Sequence, residues 1–95
     1  MRSMWYVKIP DGEIAMTQLD SISHDNDRVI VTLCARRASQ YKSLDATATG
    51  HFMNWQKYNW PKLKYKSSKV IDAISEDIPG DDDHYLYRLV IKLKF

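Results

Sequence analysis

The chain has 95 residues, 14 of them basic and 12 acidic, with a net charge of +2, a pI of about 8.7 and a mean hydropathy of −0.48. A chain of this length buries about 60–70% of its unfolded surface, which sustains one modest core, so a single α+β domain over residues 1–95 is expected and a second domain is not. With 44% hydrophobic and 27% charged residues the composition is that of an ordinary globular protein, which speaks against wholesale disorder, and no run approaches the roughly 20 apolar residues of a membrane span.

At the amino terminus "MWYVKI" alternates, with Trp5, Val7 and Ile9 on one side and Met4, Tyr6 and Lys8 on the other, the period of a half-buried strand. Pro10, Asp11 and Gly12 supply a preset φ, a turn acceptor and a positive φ, so the strand is expected to turn back there as a hairpin. The return segment carries Ile14 and Met16 on one face, then slips phase at Leu19 and Ile22. That slip predicts a bulge near Asp20. After the polar turn "SHDNDR", the run "VIVTLCA" is apolar on both faces, Val29, Val31, Leu33 and Ala35 against Ile30, Thr32 and Cys34, which predicts a central strand. Cys34 is the only cysteine; it is expected to pack as a small apolar residue. A chain with no possible internal disulfide and no apolar leader suits a reducing, cytoplasmic setting.

From residues 36–50 the pattern dissolves into a connection with at most a helical turn around Tyr41 and Leu44, and "HFMNWQKYNW" fits a strand or a short helix equally. Pro61 is expected to end that element. Leu63 and Tyr65 alternate with Lys62, Lys64 and Lys66, the pattern of a short edge strand faced with lysine. Over residues 68–78, Ser67 or Ser68 offers an N-cap while Val70, Ile71, Ile74 and Ile78 fall on one helical face, so the main helix is expected there. Its charges run against it: Lys69 stands at the start, Glu76 and Asp77 at the end, the reverse of what a helix dipole favours. Pro79 and Gly80 then terminate the element. The last residues put Tyr85, Tyr87, Leu89, Ile91, Leu93 and Phe95 at every odd position, which predicts a strand central or next to central in an antiparallel sheet of four to five strands.

Little in the sequence points to catalysis. His24, His51 and His84 share no metal-ligand spacing, and "HDND" and "DDDH" lack the glycine and distal glutamate of a calcium loop, so both read as solvated turns. No glycine-rich phosphate loop or nucleophile elbow is present. We therefore expect a protein without metal or cofactor that is not an enzyme.

Charge is the feature that stands out. Residues 57–69 hold five lysines and no acid, residues 70–84 hold six acids and no lysine or arginine, and Arg88, Lys92 and Lys94 follow. Lysines that track phosphates, interleaved with Tyr58, Trp60 and Tyr65 that can stack on bases, are what single-stranded nucleic acid needs. The neighbouring acids repel the same phosphates unless the fold turns them away. The leading expectation is accordingly a partner-binding module, an inhibitor or adaptor, that docks a protein through a bipolar, aromatic-rich surface formed by Lys57, Tyr58, Trp60, Lys62, Lys64, Tyr65, Lys66, Asp81, Asp82 and Asp83; a single-stranded nucleic-acid-binding domain is the alternative. Small regulators of phages and other mobile elements share this size and composition, an analogy of class only. A monomer is preferred over a dimer.

Overall fold

The computed structural model describes residues 4–8, 14–37 and 41–95. The elements in chain order are β1 (Met4–Lys8), β2 (Ile14–Asp25), β3 (Arg28–Arg36), α1 (Tyr41–Leu63), β4 (Ser67–Asp77) and β5 (His84–Lys94). The five strands form one antiparallel sheet in the order β1-β2-β3-β5-β4. β3 and β4 both run opposite to β5, and α1 connects them across one face of the sheet, packed on β1, β2, β3 and β5. The α+β class, the antiparallel sheet and the single covering helix agree with the sequence. The turn expected at Pro10 to Gly12 lies outside the described residues.

The readings of β2, β3 and β5 as strands hold. β3 is the middle strand and β5 its neighbour. The β2–β3 ladder shifts register between Leu19 and Ser21, the bulge that the phase slip at Asp20 predicts. Thr17, Leu19 and Ile22 therefore stay on the same face as Val29, Val31, Leu33 and Ala35 across the irregularity. That face, continued by Tyr85, Tyr87, Leu89, Ile91 and Leu93, is the floor of the core, and Leu44, Ala48 and Phe52 of α1 form its roof.

The helix lies elsewhere than the sequence suggests. Residues 68–78 do not form the main helix; all but Ile78 belong to β4, which pairs with β5 from Ser67↔Lys94 to Asp77↔Tyr85. The reason is a second bulge, between Val70 and Asp72. An extra residue breaks the alternation of two and leaves apolar side chains at 70, 71 and 74, which mimics helical spacing. Two preferences favour the strand: β-branched Val70, Ile71 and Ile74 suit a pleated surface, and a strand carries no penalty for acids at its end.

The helix instead runs through residues 41–63, where a loose connection and an ambiguous aromatic run were expected. Its buried stripe is Leu44, Ala48, His51 and Phe52, with Trp55, Asn59 and Leu63 partly covered, while Met53, Tyr58 and Trp60 face outward. Small and polar residues on the inner face and aromatics on the outer one erase the amphipathic signal. Pro61 does not end the element; it sits in the last turn, where its missing N–H forfeits one hydrogen bond. Nor do residues 63–65 form an edge strand. Leu63 is the last helical residue, and Lys64, at φ 51°, donates its N–H to Trp60 O at 2.7 Å, a left-handed cap at a helix C-terminus.

Two substitutions test this architecture. A Cβ at Gly50, within α1, meets no atom within 4 Å, so Gly50→Ala should stabilise the protein by about 0.5–1 kcal/mol, read as a raised Tm. Deleting residues 91–95 removes the buried Ile91 and Leu93 and the end of both β5 ladders; the shortened chain should lose cooperative melting and most of its circular dichroism signal. A folded truncation would contradict the core described here.

Candidate functional site

The carboxy-terminal turns of α1, the connector at 64–66, the start of β4 and the end of β5 meet at one end of the molecule. Tyr65 pins them together. It is only 4% exposed; its hydroxyl donates to Gln56 Oε1, its carbonyl accepts the Trp60 indole N–H at 2.9 Å, and its ring meets those of Trp60 and Phe95 edge-on at 6.5 and 6.4 Å. Burial pushes its phenol pKa up. Lys66 N–H donates to Lys94 O at 2.6 Å, which ties the connector to β5. With Tyr65 used internally, Trp60 remains 48% and Tyr58 80% exposed.

Two grooves open beside this pin, and Ser67 and Ser68 form the wall between them. One, of about 480 Å³, lies on the helix side, with Gln56, Lys57, Trp60, Pro61, Tyr65 and Lys66 around it. The other, of about 540 Å³, is bounded by Lys69, Ile71, Lys92, Leu93 and Lys94. No acid lines either one. With the exposed Lys62 and Lys64, this end collects seven lysines from α1, the connector, β4 and β5. Among the described residues only Lys92 of these lysines makes an ion pair, with Asp27 at 3.9 Å.

Asp81, Asp82 and Asp83 lie in the β4–β5 turn at the opposite end of the hairpin, about 30 Å away at roughly 3.3 Å per residue. Two neighbouring acids, Asp77 and Glu76, are paired with arginines there. Arg37 donates Nη2 to Asp77 Oδ1 and Nε to Asp82 O, both at 2.8 Å, and Arg88 Nη1 donates to Glu76 Oε2 at 2.5 Å. Asp81 Oδ1 accepts the backbone N–H groups of Asp83 and His84 at 2.9 and 3.1 Å. The Asp83 N–H, with the His84 ring beside it, holds the Asp81 carboxyl below the usual carboxylate range. Of the ten residues singled out in the sequence, Lys57, Tyr58, Trp60, Lys62, Lys64, Tyr65 and Lys66 come together and the three aspartates do not join them.

Lys69, Lys92 and Lys94 enter the basic end through the β4–β5 register, as does Phe95 through its contact with Tyr65. Their sequence signal is indirect, since an antiparallel pair brings the start of one strand beside the end of the next. The helical reading of residues 68–78 conceals it. The same reading conceals β4 as a surface: among the described residues it is an edge strand paired only with β5, all eleven of its residues are exposed, and Val70, Ile71 and Ile74 stand on it.

Among the described residues no group of three His, Cys, Asp or Glu is arranged to hold a metal ion, and no helix is long and apolar enough to cross a membrane. No protein-family model, curated protein or solved structure matches the chain.

One buried titratable group gives a pH test of the packing beneath this surface. His51 is 5% exposed on the inner face of α1, and burial lowers its pKa from the usual 6.5. Between the lowered value and 6.5 the unfolded chain binds the proton more readily than the folded one. The contribution is therefore intact above pH 6.5 and lost as the pH falls below it. Tm should drop on acidification through this range, and His51→Gln should flatten that part of the slope.

Proposed function

We propose that the chain is a non-enzymatic binding module whose basic end holds a single-stranded nucleic acid. One observation carries the reading: five lysines line two open grooves that no acid lines, Lys57 and Lys66 in the one beside the exposed ring of Trp60 and Lys69, Lys92 and Lys94 in the other, with the exposed Tyr58, Lys62 and Lys64 at the same end. Lysines of this kind neutralise successive phosphates, and exposed aromatics stack on bases without regard to sequence. The objection raised by the adjacent acidic run is weakened by its distance, since Asp81 to Asp83 stand a hairpin's length away and neighbouring Asp77 and Glu76 are engaged by arginines. Both grooves are open clefts, a shape suited to a polymer lying across them rather than to a water-excluding reaction site. A single cysteine, Cys34, suits the reducing cytoplasm.

A partner protein is the second reading, and the open β4 edge with its exposed Val70, Ile71 and Ile74 favours it.

Fluorescence anisotropy with a labelled single-stranded oligonucleotide at two salt concentrations tests the first reading. Binding should be micromolar or tighter at low salt and weaken steeply as salt rises. Changing Lys57, Lys62 and Lys66 together to alanine should abolish it. Tyr58→Ala should cost about 1–3 kcal/mol, the worth of one stacked base. Changing Asp81, Asp82 and Asp83 to asparagine should leave affinity nearly unchanged. Absence of binding at low salt would remove this reading.

A further inference from the structure

We propose that the β4 edge pairs with the β4 edge of a second copy of this chain, antiparallel and about a two-fold axis through Ala73, to make one continuous ten-stranded sheet. Among the described residues β4 has a hydrogen-bonded neighbour on one side only, and it is exposed along all eleven residues. An edge of that length is a template for another strand unless something blunts it. Lysine is a common blunting device, and β4 carries Lys69. It also carries the matching acids at its other end, Glu76 and Asp77.

The charge order decides what fits. A parallel second copy sets lysine beside lysine and acid beside acid. An antiparallel copy sets each against its opposite. The register follows from the ladder with β5, in which Ile71 is the extra residue of the bulge. Counting ladder positions with Ile71 left out, a two-fold at Ala73 puts Lys69 opposite Glu76, Ser68 opposite Asp77 and Val70 opposite Ser75 of the other copy. The faces agree as well. Lys69 and Glu76 pair with Lys92 and Leu86, on the side of the sheet away from α1, whereas Ser68, Val70, Ser75 and Asp77 pair with Leu93, Ile91, Tyr87 and Tyr85, on the α1 side. Each Lys69 then joins the existing Arg88–Glu76 pair, and the symmetry makes the contact twice. Both helices fall on one face of the joined sheet, and Ser67 and Ser68, the wall shared by the two grooves, lie in the seam.

Analytical ultracentrifugation across micromolar concentrations tests the register through charge reversal. The unaltered protein should show a reversible monomer–dimer equilibrium. Lys69→Glu alone sets acid against acid in the dimer, and Glu76→Lys alone sets base against base; each should weaken self-association about tenfold or more. Mixed together, the two single variants should form a heterodimer, because the acid introduced in one copy and the base introduced in the other then face each other. The double variant should recover the original equilibrium. Lys69→Glu faces Lys92 across β5, so it removes a like-charge contact within its own chain and the fold is not put at risk. Glu76→Gln, which removes the charge without reversing it, should weaken the dimer less than Glu76→Lys. A protein that stays monomeric throughout, a dimer unmoved by either reversal, or a mixture that associates no better than its components would each overturn the proposal.

Discussion

The nine rungs between β3 and β5, from Arg28↔Lys92 to Arg36↔His84, are the pairing on which the rest of the molecule is built. They align Val29, Val31, Leu33 and Ala35 with Ile91, Leu89, Tyr87 and Tyr85, so that one face of two adjacent strands is apolar from end to end. That floor needs cover because its side chains are otherwise left in water, at about 25 cal/mol for each Å² of apolar surface. α1 supplies the cover with small residues where it lies close, Ala48 among them, and large ones at Leu44 and Phe52. β2 and β4 extend the sheet outward on either side, and each carries a bulge; the one in β2 keeps Leu19 and Ile22 on the core face after the alternation slips.

This arrangement also sorts the charges. β3 ends beside the start of β5, so α1 begins at the acidic end and must finish at the opposite one, where β4 starts and β5 stops. Lys57, Lys62 and Lys64 consequently fall in and just past the last turns of α1, where partial negative charge on the helix terminus favours bases. The sequence places five lysines next to six acids along the chain. The hairpin carries all of those acids but Asp72 to the opposite end. At one end Arg88 and Arg37 hold Glu76 and Asp77; at the other Lys57, Lys62, Lys64 and Lys66 are exposed in the same stretch as Trp60 and Tyr58. A bipolar chain thus becomes a bipolar molecule, with Asp81, Asp82 and Asp83 a hairpin's length from the basic end.

Tyr65 shows how closely binding and folding residues can resemble each other in a sequence. It alternates with lysines as Tyr58 and Trp60 neighbour them, yet Gln56, Trp60 and Phe95 enclose it. The left-handed cap at Lys64 turns the chain so that the next residue points inward rather than along the helix surface. Composition cannot distinguish an aromatic that anchors a chain reversal from one that meets a ligand; only the backbone path separates them.

By itself the sequence determined the strands whose period survives intact and whose two faces differ: β3 through its run of β-branched residues, β5 through its odd-position stripe, and the bulge in β2 through the slip after Met16. Local periodicity suffices there because each side chain's environment is set by its parity alone. The tertiary structure decided the rest. Residues 68–78 became a strand because β5 offered an unpaired flank and a bulge could absorb the mismatch, outweighing a short helical pattern whose charges opposed its dipole. Residues 41–63 became the helix because the floor of β3 and β5 required a roof, which a stripe of Leu44, Ala48, His51 and Phe52 satisfies without a strong period of its own. The basic end, finally, joins lysines that lie up to 37 positions apart, from Lys57 to Lys94, a proximity created by antiparallel register and invisible to any pattern read along the chain.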